Sequence, residues 1–211
     1  MGLSRNVQYD CPRCKDPIQT VMHHSYVIED EEALRALYEQ RFHVVTCPRC
    51  KETWHFEADF LVTNAARDMF VQVICKDDKV AEMRQTFEEM VGGKGFFVRI
   101  VANRSDMVEK VKIWKAGLDD VALEVLKHFL RIQIRDLEGK TNRYFEGLHE
   151  GEVVFSIREP GQPTKVMKIP MTVYENVQRD LGTRRYKLEM EVDERLARRL
   201  LDQKRGATPQ A

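Results

Sequence analysis

The sequence predicts an α+β protein whose N-terminal part differs in pattern from the rest of the chain. Short segments in which polar and apolar residues alternate, as in half-buried strands, fill most of the first 60 positions. Beyond them, segments with apolar residues at every third or fourth position are interspersed with compact apolar runs, which indicates longer helices and further strands. Two closely matched cysteine pairs lie in the N-terminal part. These three observations predict a small sheet followed by larger mixed elements.

Four of the five cysteines form two pairs of identical spacing. Cys11 and Cys14 enclose Pro-Arg, as do Cys47 and Cys50, and each pair precedes a lysine and an acid, so a six-residue unit recurs 36 positions later. In a Cys-x-x-Cys turn both sulfurs point to one side, and two facing turns supply four thiolates at the corners of a tetrahedron. The sequence therefore predicts Cys11, Cys14, Cys47 and Cys50 as the ligands of a structural zinc ion.

Other interpretations of the pairs stay open but are less favoured. Disulfides require an oxidising compartment and redox dithiols require a βαβ setting, and neither is indicated by the flanking sequence. Iron is a stronger alternative, because the 32 residues between the pairs resemble the spacing in rubredoxins. Lys15 and Lys51, however, follow the pairs where rubredoxins carry glycine. Four histidines near the pairs are further candidates for the metal shell: His23, His24, His43 and His55.

The first 60 residues are expected to form an antiparallel sheet with one inserted helix. The predicted elements are strands over residues 7–10, 17–22 and 26–28, a helix over residues 30–39, and strands over residues 43–46 and 53–58. The third strand is expected to continue the second. Acids in its first turn support the helix. Trp54, Phe56 and Ala58 would share one face of the last strand.

The middle of the chain carries longer elements. They are predicted as a strand over residues 69–75, a helix over 80–91 closed by glycines, a strand over 96–101, a helix from 105 to 117, and a helix from 119 or 120 to about 139. Ser105 is the predicted N-cap of the second helix. The last helix has so little polar surface that it must be central or lie in an oligomer interface. Cys75 ends an apolar strand and is expected to be a buried, inert thiol.

The last third of the chain combines a β-hairpin with helices. Its predicted elements are strands over residues 143–148, 152–158 and 165–169, a helix from 170 to about 182, a strand over 186–190, and a final arginine-bearing helix. Leu196, Leu200 and Leu201 share one side of that helix. The predicted organisation is a zinc ribbon-like module over residues 1–60, an α/β segment over 61–140, a C-terminal segment over 141–205 and a flexible tail over 206–211.

Composition places the chain among ordinary globular proteins. It has 211 residues, 34 basic and 34 acidic side chains and 43% hydrophobic residues, which excludes disordered and low-complexity classes. No run approaches the roughly 18 apolar residues of a membrane span, and the first residues show no apolar signal core. We therefore expect a soluble cytoplasmic protein without a membrane partner.

Because the formal net charge is zero, nucleic acid could be bound only by a local basic patch. Residues 1–58 hold seven basic and nine acidic side chains, unlike a phosphate-binding surface, whereas residues 184–205 hold eight basic and five acidic ones, a net charge of +3. The candidate contacts are Arg184, Arg185, Arg195, Arg198 and Arg199. The favoured alternative is an amphipathic helix that packs by its leucines and extends its arginines into water.

A family resemblance is carried by the paired Cys-Pro-Arg-Cys turns, the strand, helix and strand between them, and a later segment from Arg99 to Asp120. In these features, over about residues 7–180, the chain resembles the bacterial and archaeal proteins of the CpXC family. What the resemblance implies is a zinc-binding role for the four cysteines. It implies no activity.

The hypothesis that these patterns favour is a zinc-binding protein with a structural four-cysteine site and no assigned catalytic residue. Four thiolates close the coordination shell, so the metal has no position left for a water molecule. The expected biological role is macromolecular recognition or assembly, with a protein partner or further copies of the chain. The alternatives are an enzyme with a site between the ribbon and the C-terminal region, and a nucleic-acid or transcription-associated factor.

Overall fold

The computed structural model describes residues 3–64, 68–91, 96–133, 141–182 and 189–206, and it confirms the mixed α+β fold. The chain divides into two compact units, residues 1–108 and residues 109–211. The predicted divisions near residues 60 and 140 are a different partition and stay predictions. No helix in the described part of the chain combines the length and the hydrophobicity that crossing a bilayer requires.

The first unit is rich in strands. Its elements are β1 (Ser4–Asp10), β2 (Pro17–His23), β3 (Ser25–Val27), α1 (Glu31–Tyr38), β4 (Val44–Thr46), β5 (Thr53–His55), β6 (Phe60–Asn64), β7 (Met69–Val73), α2 (Val80–Val91) and β8 (Phe97–Val101). The helix α3 (Arg104–Lys115) contains the boundary between the units. The second unit continues with α4 (Asp120–Gln133), β9 (Asn142–His149), β10 (Glu152–Arg158), β11 (Lys165–Pro170), α5 (Met171–Leu181) and α6 (Glu194–Gly206).

Two short antiparallel hairpins form the cysteine-bearing part of the first unit. β1 pairs with β2, and β4 pairs with β5, in registers that place the last residue of one strand opposite the first residue of the next. Each cysteine unit is therefore the six-residue loop of its own hairpin, over residues 11–16 or 47–52. The predicted antiparallel pairing is confirmed, but the two hairpins are separate two-stranded sheets.

Two predicted strands differ from the structure. Residues 26–28 do not extend β2, because Ser4, the first residue of β1, already pairs with His23; β3 instead pairs in parallel with β6. The strand predicted over residues 53–58 ends at His55. Its partner β4 begins only after His43, which has a left-handed backbone (φ 56°), and the amide of Phe56 donates to the carbonyl of His43.

A four-stranded mixed sheet follows the hairpins in the order β3-β6-β7-β8. β6 and β7 are antiparallel, whereas β3 runs parallel to β6 and β8 runs parallel to β7. The sheet buries Val62, Val71 and Val73 almost completely. β7 ends at Val73, two residues before the predicted end, so Cys75 lies beyond the strand.

The helix starts illustrate what local sequence can decide. Asp30 caps α1, since its carboxylate accepts a hydrogen bond from the Ala33 amide at 2.7 Å, so the helix predicted over residues 30–39 begins one residue later, at Glu31. At α3, Asn103 and not the predicted Ser105 accepts from the Asp106 amide at 3.0 Å. Asparagine and serine are comparably good N-caps, so the choice between two nearby candidates depends on where the preceding strand ends.

In the second unit, the three-stranded antiparallel sheet β11-β10-β9 packs with α4, α5 and α6. Its core includes Leu123, Phe145, Phe155, Tyr174 and Leu200. The predicted C-terminal hairpin with helices is confirmed, as is the leucine face of α6. The central position predicted for α4 holds for its first turns, whereas Phe129 and Ile132 near its end are exposed. Several predicted features lie outside the described residues, namely the glycines after α2, the end of α4 near residue 139, most of the strand over 186–190 and the tail over 207–211.

Candidate metal centre

Both cysteine loops have the same backbone hydrogen bonds. In the first loop, the Cys11 amide donates to the Asp16 carbonyl at 2.9 Å and the Lys15 amide donates to the Cys11 carbonyl at 3.0 Å. In the second loop, the equivalent bonds of Cys47 and Lys51 measure 2.8 and 3.0 Å. The repeated sequence unit is therefore a repeated local structure, as the spacing predicts.

The lysine after each pair has a left-handed backbone, with φ 61° at Lys15 and φ 62° at Lys51. This conformation costs a non-glycine residue about 1–2 kcal/mol, because its Cβ approaches the following carbonyl oxygen. The two residues therefore show that the loops keep the turn geometry even where glycine is missing.

The two loops bring four sulfurs together. The Sγ atoms of Cys11 and Cys50 are 3.5 Å apart, those of Cys14 and Cys47 are 3.7 Å apart, and all four lie within 4.8 Å of one another. A disulfide would hold its sulfurs about 2.05 Å apart, and all four cysteines are free. Four thiolates about 2.3 Å from one tetrahedral zinc ion stand about 3.8 Å from each other. The donor set and its spacing thus fit a single metal ion.

The environment of the sulfurs combines burial with amide donors. Cys11 and Cys47 are completely buried, and a small core that includes Ile18, Met22 and Phe56 packs around them. Within each loop, the amide of the second cysteine donates to the sulfur of the first at 3.5 Å. Such bonds stabilise a thiolate in an apolar site.

The thiols do not ionise alike. Burial raises the pKa of Cys11, but hydrogen bonds, led by those from the amides of Cys14 and Arg13, outweigh burial and lower the pKa to about 7. At Cys14 the Asp16 amide lowers the thiol pKa, yet burial and the neighbouring sulfurs outweigh it and raise the pKa to about 12. Cys11 and Cys14 therefore differ in acidity without a cation, whereas a bound metal ion deprotonates its thiol ligands.

Reciprocal ion pairs join the two loops. Arg13 of the first loop lies 3.4 Å from the carboxylate of Glu52 in the second, and Arg49 of the second lies 3.3 Å from that of Asp16 in the first. Both arginine side chains are about two-thirds exposed, at 69% and 68%. These pairs are absent from our sequence-based expectations, although the acid at the end of each repeated unit could have indicated a partner for an arginine.

No histidine of the described chain belongs to this group of sulfurs, which the four cysteines form alone. His43 is buried in an aromatic cluster, where its ring stacks on Phe56 and its Nε2 bonds the His23 carbonyl at 2.7 Å. His55 bonds the guanidinium of Arg104 through Nδ1. In this geometry the rings of His43 and His55 interact with groups other than the four sulfurs.

Cys75 differs from its prediction. It is exposed, not buried in a strand, and its amide donates to the Asp59 carboxylate at 2.8 Å. The apolar sequence before Cys75 suggested burial. The pairing of β7 with its neighbours extends only to Val73, so Cys75 lies beyond the strand. Partial burial of its sulfur, with the charges of Asp59 and Glu57, raises the pKa of Cys75.

The predicted nucleic-acid contacts are already engaged in ion pairs where the structure describes them. Arg195 lies 2.8 Å from Asp193, Arg198 lies 2.7 Å from Glu194, and Arg199 lies 3.1 Å from a carboxylate oxygen of Glu189. The other two candidates, Arg184 and Arg185, lie outside the described residues.

A buried ion network in the second unit is another feature absent from our sequence-based expectations. Lys127 lies 2.9 Å from Glu109 and 2.8 Å from Glu124, and Lys110 lies 3.3 Å from Glu124 and 3.2 Å from Asp120. Glu109 also accepts a hydrogen bond from the Phe145 amide at 2.6 Å. Burial lowers the pKa of Lys127, but its two carboxylate partners outweigh this and raise it. Glu109, Lys110, Asp120 and Glu124 are all buried, and their charges are paired with one another or with Lys127.

The two matched hairpin loops bring their four free cysteine sulfurs together. The protein therefore has a candidate four-cysteine metal centre. The model of one family, the CpXC proteins, matches residues 9–127. This match covers more than half of the chain, so the chain belongs to the CpXC family, and the predicted resemblance is confirmed. Neither a curated protein nor a solved structure matches the chain.

Proposed function

We propose that Cys11, Cys14, Cys47 and Cys50 hold one zinc ion whose role is structural. The observation that carries this proposal is the convergence of four free sulfurs within 4.8 Å at the ends of two hairpins that share no strand pairing. A metal ion supplies the link between such hairpins, and metal binding to a site of this kind contributes directly to folding. With four thiolates the shell is complete, so the proposed ion has no open position for substrate or water.

Zinc is preferred to iron in this proposal. The donor set alone suits either metal, but the lysine side chains of Lys15 and Lys51 place two positive charges on the loops of a dianionic site. Either metal would be recognised at once, since a ferric four-thiolate centre absorbs visible light and a zinc centre does not.

Metal analysis of the purified full chain tests the proposal. We expect one zinc per chain in the wild type and in Cys75→Ser, a matched control that removes the exposed fifth thiol. We expect Cys47→Ser to lose most of its zinc, because it removes a buried ligand. Equal zinc content in the Cys47→Ser and Cys75→Ser variants, or iron in place of zinc, would contradict the proposal.

The biological role that we propose is recognition or assembly with protein, including further copies of the chain. Two observations support it over nucleic-acid binding. The first unit carries 14 basic and 17 acidic side chains, a net charge of −3 before any metal site is counted. Arg195, Arg198 and Arg199 of α6 are each paired with a nearby acid. Light scattering on the zinc-loaded protein tests self-assembly, and salt-dependent binding of DNA or RNA would favour the alternative.

A further inference from the structure

We infer that the four-cysteine centre is a redox device in which a hydroperoxide converts a zinc-linked pair of hairpins into a disulfide-linked pair. The disulfides join Cys11 to Cys50 and Cys14 to Cys47, across the two loops and not within them. The inference rests on the proposed zinc site for its starting state, and it adds a second, metal-free state that keeps the hairpins joined.

Two short contacts between sulfurs of different loops support this pairing, in a group whose four sulfurs all lie within 4.8 Å of one another. Cys11 and Cys50 have Sγ atoms 3.5 Å apart, and Cys14 and Cys47 have Sγ atoms 3.7 Å apart. Both pairs connect different loops. Bond formation requires each pair to close by less than 2 Å, since a disulfide measures about 2.05 Å. The sulfur of Cys11 also receives the Cys14 amide, and that of Cys47 receives the Cys50 amide, so the loop geometry holds each first sulfur in place.

Each cross-loop pair joins a partly exposed cysteine to a buried cysteine. Cys14 and Cys50 are partly exposed, whereas Cys11 and Cys47 are completely buried. An oxidant from solution therefore meets Cys14 or Cys50 first, and a buried cysteine lies within reach to resolve the product.

The chemistry balances with a hydroperoxide as the only oxidant. The more exposed thiolate attacks one peroxide oxygen, the O–O bond breaks, and a sulfenic acid forms as hydroxide leaves from hydrogen peroxide, or alkoxide from an organic hydroperoxide. The buried thiolate then attacks the sulfenic sulfur, so that the S–S bond forms and the S–O bond breaks with loss of hydroxide. Two sulfurs lose two electrons to one peroxide. Two peroxides thus oxidise all four cysteines, and the sulfurs release their zinc ion.

Cross-loop disulfides have a consequence that disulfides within the loops would not have. They connect the same two hairpins that the metal connects, and they close chain loops from residue 11 to 50 and from 14 to 47. Such closures restrict the unfolded chain. The oxidised, metal-free protein is therefore expected to keep its hairpins folded, whereas the reduced, metal-free protein is not.

The test uses full-length Cys75→Ser protein loaded with zinc, because its exposed fifth thiol would otherwise react as well. Hydrogen peroxide is added while a chromogenic chelator reports released zinc, and peptides are then mapped without reduction. We expect one zinc released for every two disulfides, with Cys11–Cys50 and Cys14–Cys47 as the linked peptides. Disulfides within the loops, or thiols oxidised only to sulfinic acids, would overturn the inference.

A second measurement separates this inference from the zinc proposal. Metal content before oxidation tests the zinc site alone, and the peptide map of the zinc-loaded protein after oxidation tests the pairing. The thermal unfolding temperature of oxidised protein should exceed that of reduced, chelated protein. Equal unfolding temperatures would overturn the claim that the disulfides replace the metal as a link.

Discussion

At the scale of the residue, the two left-handed lysines show how strongly the loop geometry is imposed. Lys15 and Lys51 hold φ near 60° although each has a Cβ, and in each loop the amide of that residue bonds the first cysteine's carbonyl. The conformational cost at each lysine is tolerated because this turn directs both sulfurs of its loop toward the centre of the four-cysteine group.

This strain makes a substitution test possible at Lys15. We predict that Lys15→Gly is more stable than Lys15→Ala by about 1 kcal/mol, because glycine removes the Cβ that a left-handed backbone disfavours. Both variants remove the same charge, so alanine is the matched control. Thermal unfolding of the zinc-loaded variants measures the difference, and an alanine variant as stable as the glycine variant would show that the turn is unstrained.

His43 is the second residue whose environment has a measurable consequence. Its ring is 4% exposed, stacks on Phe56 with centroids 4.6 Å apart and meets Phe60 edge-on at 4.7 Å. Its Nε2 bonds the His23 carbonyl, and its Nδ1 has no hydrogen-bond partner among the described residues. Burial, together with the charge of Arg104, lowers the pKa of His43 from 6.5 to about 4.

A lowered histidine pKa predicts acid sensitivity. Above pH 6.5 the ring is neutral in both the folded and the unfolded chain, so stability is complete. Between pH 6.5 and 4 only the unfolded chain takes up the proton, and the free energy of unfolding should fall by about 2–3 kcal/mol. His43→Phe should flatten this part of the pH profile, measured by denaturant unfolding, whereas acid loss of metal affects both proteins. Parallel profiles would show that His43 does not contribute.

At the scale of the element, each cysteine unit is explained by the hairpin that surrounds it. The six residues from the first cysteine to the acid fill the loop, and the flanking alternation supplies the strands. Two-stranded hairpins are marginally stable alone in water. The hairpins therefore depend on the small core between them and on what joins their loops.

We accordingly predict that removal of metal by a strong chelator loosens these hairpins selectively. Amide hydrogen exchange in β1, β2, β4 and β5 should accelerate at least tenfold, because the loops lose their shared link. β9 and β10 of the second unit provide the internal reference and should keep their exchange rates. Unchanged protection in the hairpins of chelated, reduced protein would contradict a structural metal.

The helices α3 and α4 carry the buried ion network, whose stability can be tested separately. Lys127→Met leaves Glu109 and Glu124 without their shared ammonium, and we predict a loss of about 3 kcal/mol in the free energy of unfolding. Lys79→Met is the control, since the Lys79 side chain is 55% exposed and such a surface pair with Asp59 is worth less than about 1 kcal/mol. Urea unfolding measures the loss of stability in both variants. Equal losses in Lys127→Met and Lys79→Met would contradict the prediction, because they would mean that water reaches the charges of the network.

At the scale of the whole molecule, the sequence predicts local structure better than it predicts strand partners. The cysteine repeat, the existence of α1 and the leucine face of α6 follow from short spacings, and the structure agrees with each. The pairing of β3 with β6 does not follow, because a three-residue strand contains too little pattern to identify a partner far along the chain. Burial of Cys75 was predicted wrongly for a related reason, since an apolar run does not show where its neighbours stop pairing.

At the candidate site, too, the sequence predicts what depends on local spacing and not what depends on contacts between distant segments. All four cysteines are identified by their repeat, whereas the reciprocal pairs of Arg13 with Glu52 and Arg49 with Asp16 depend on how two loops face each other. The ion network of the second unit was hidden because its charges alternate with apolar residues on two helices that become neighbours only on folding.

The most direct test of the central claim is X-ray absorption at the zinc edge of the purified protein, which reports the atoms bound to the metal. If Cys11, Cys14, Cys47 and Cys50 form the whole shell, the spectrum should show four sulfurs at about 2.3 Å and no lighter ligand. A shell that includes nitrogen or oxygen would contradict the account, because it would mean that a histidine or a water molecule takes a position assigned to a cysteine.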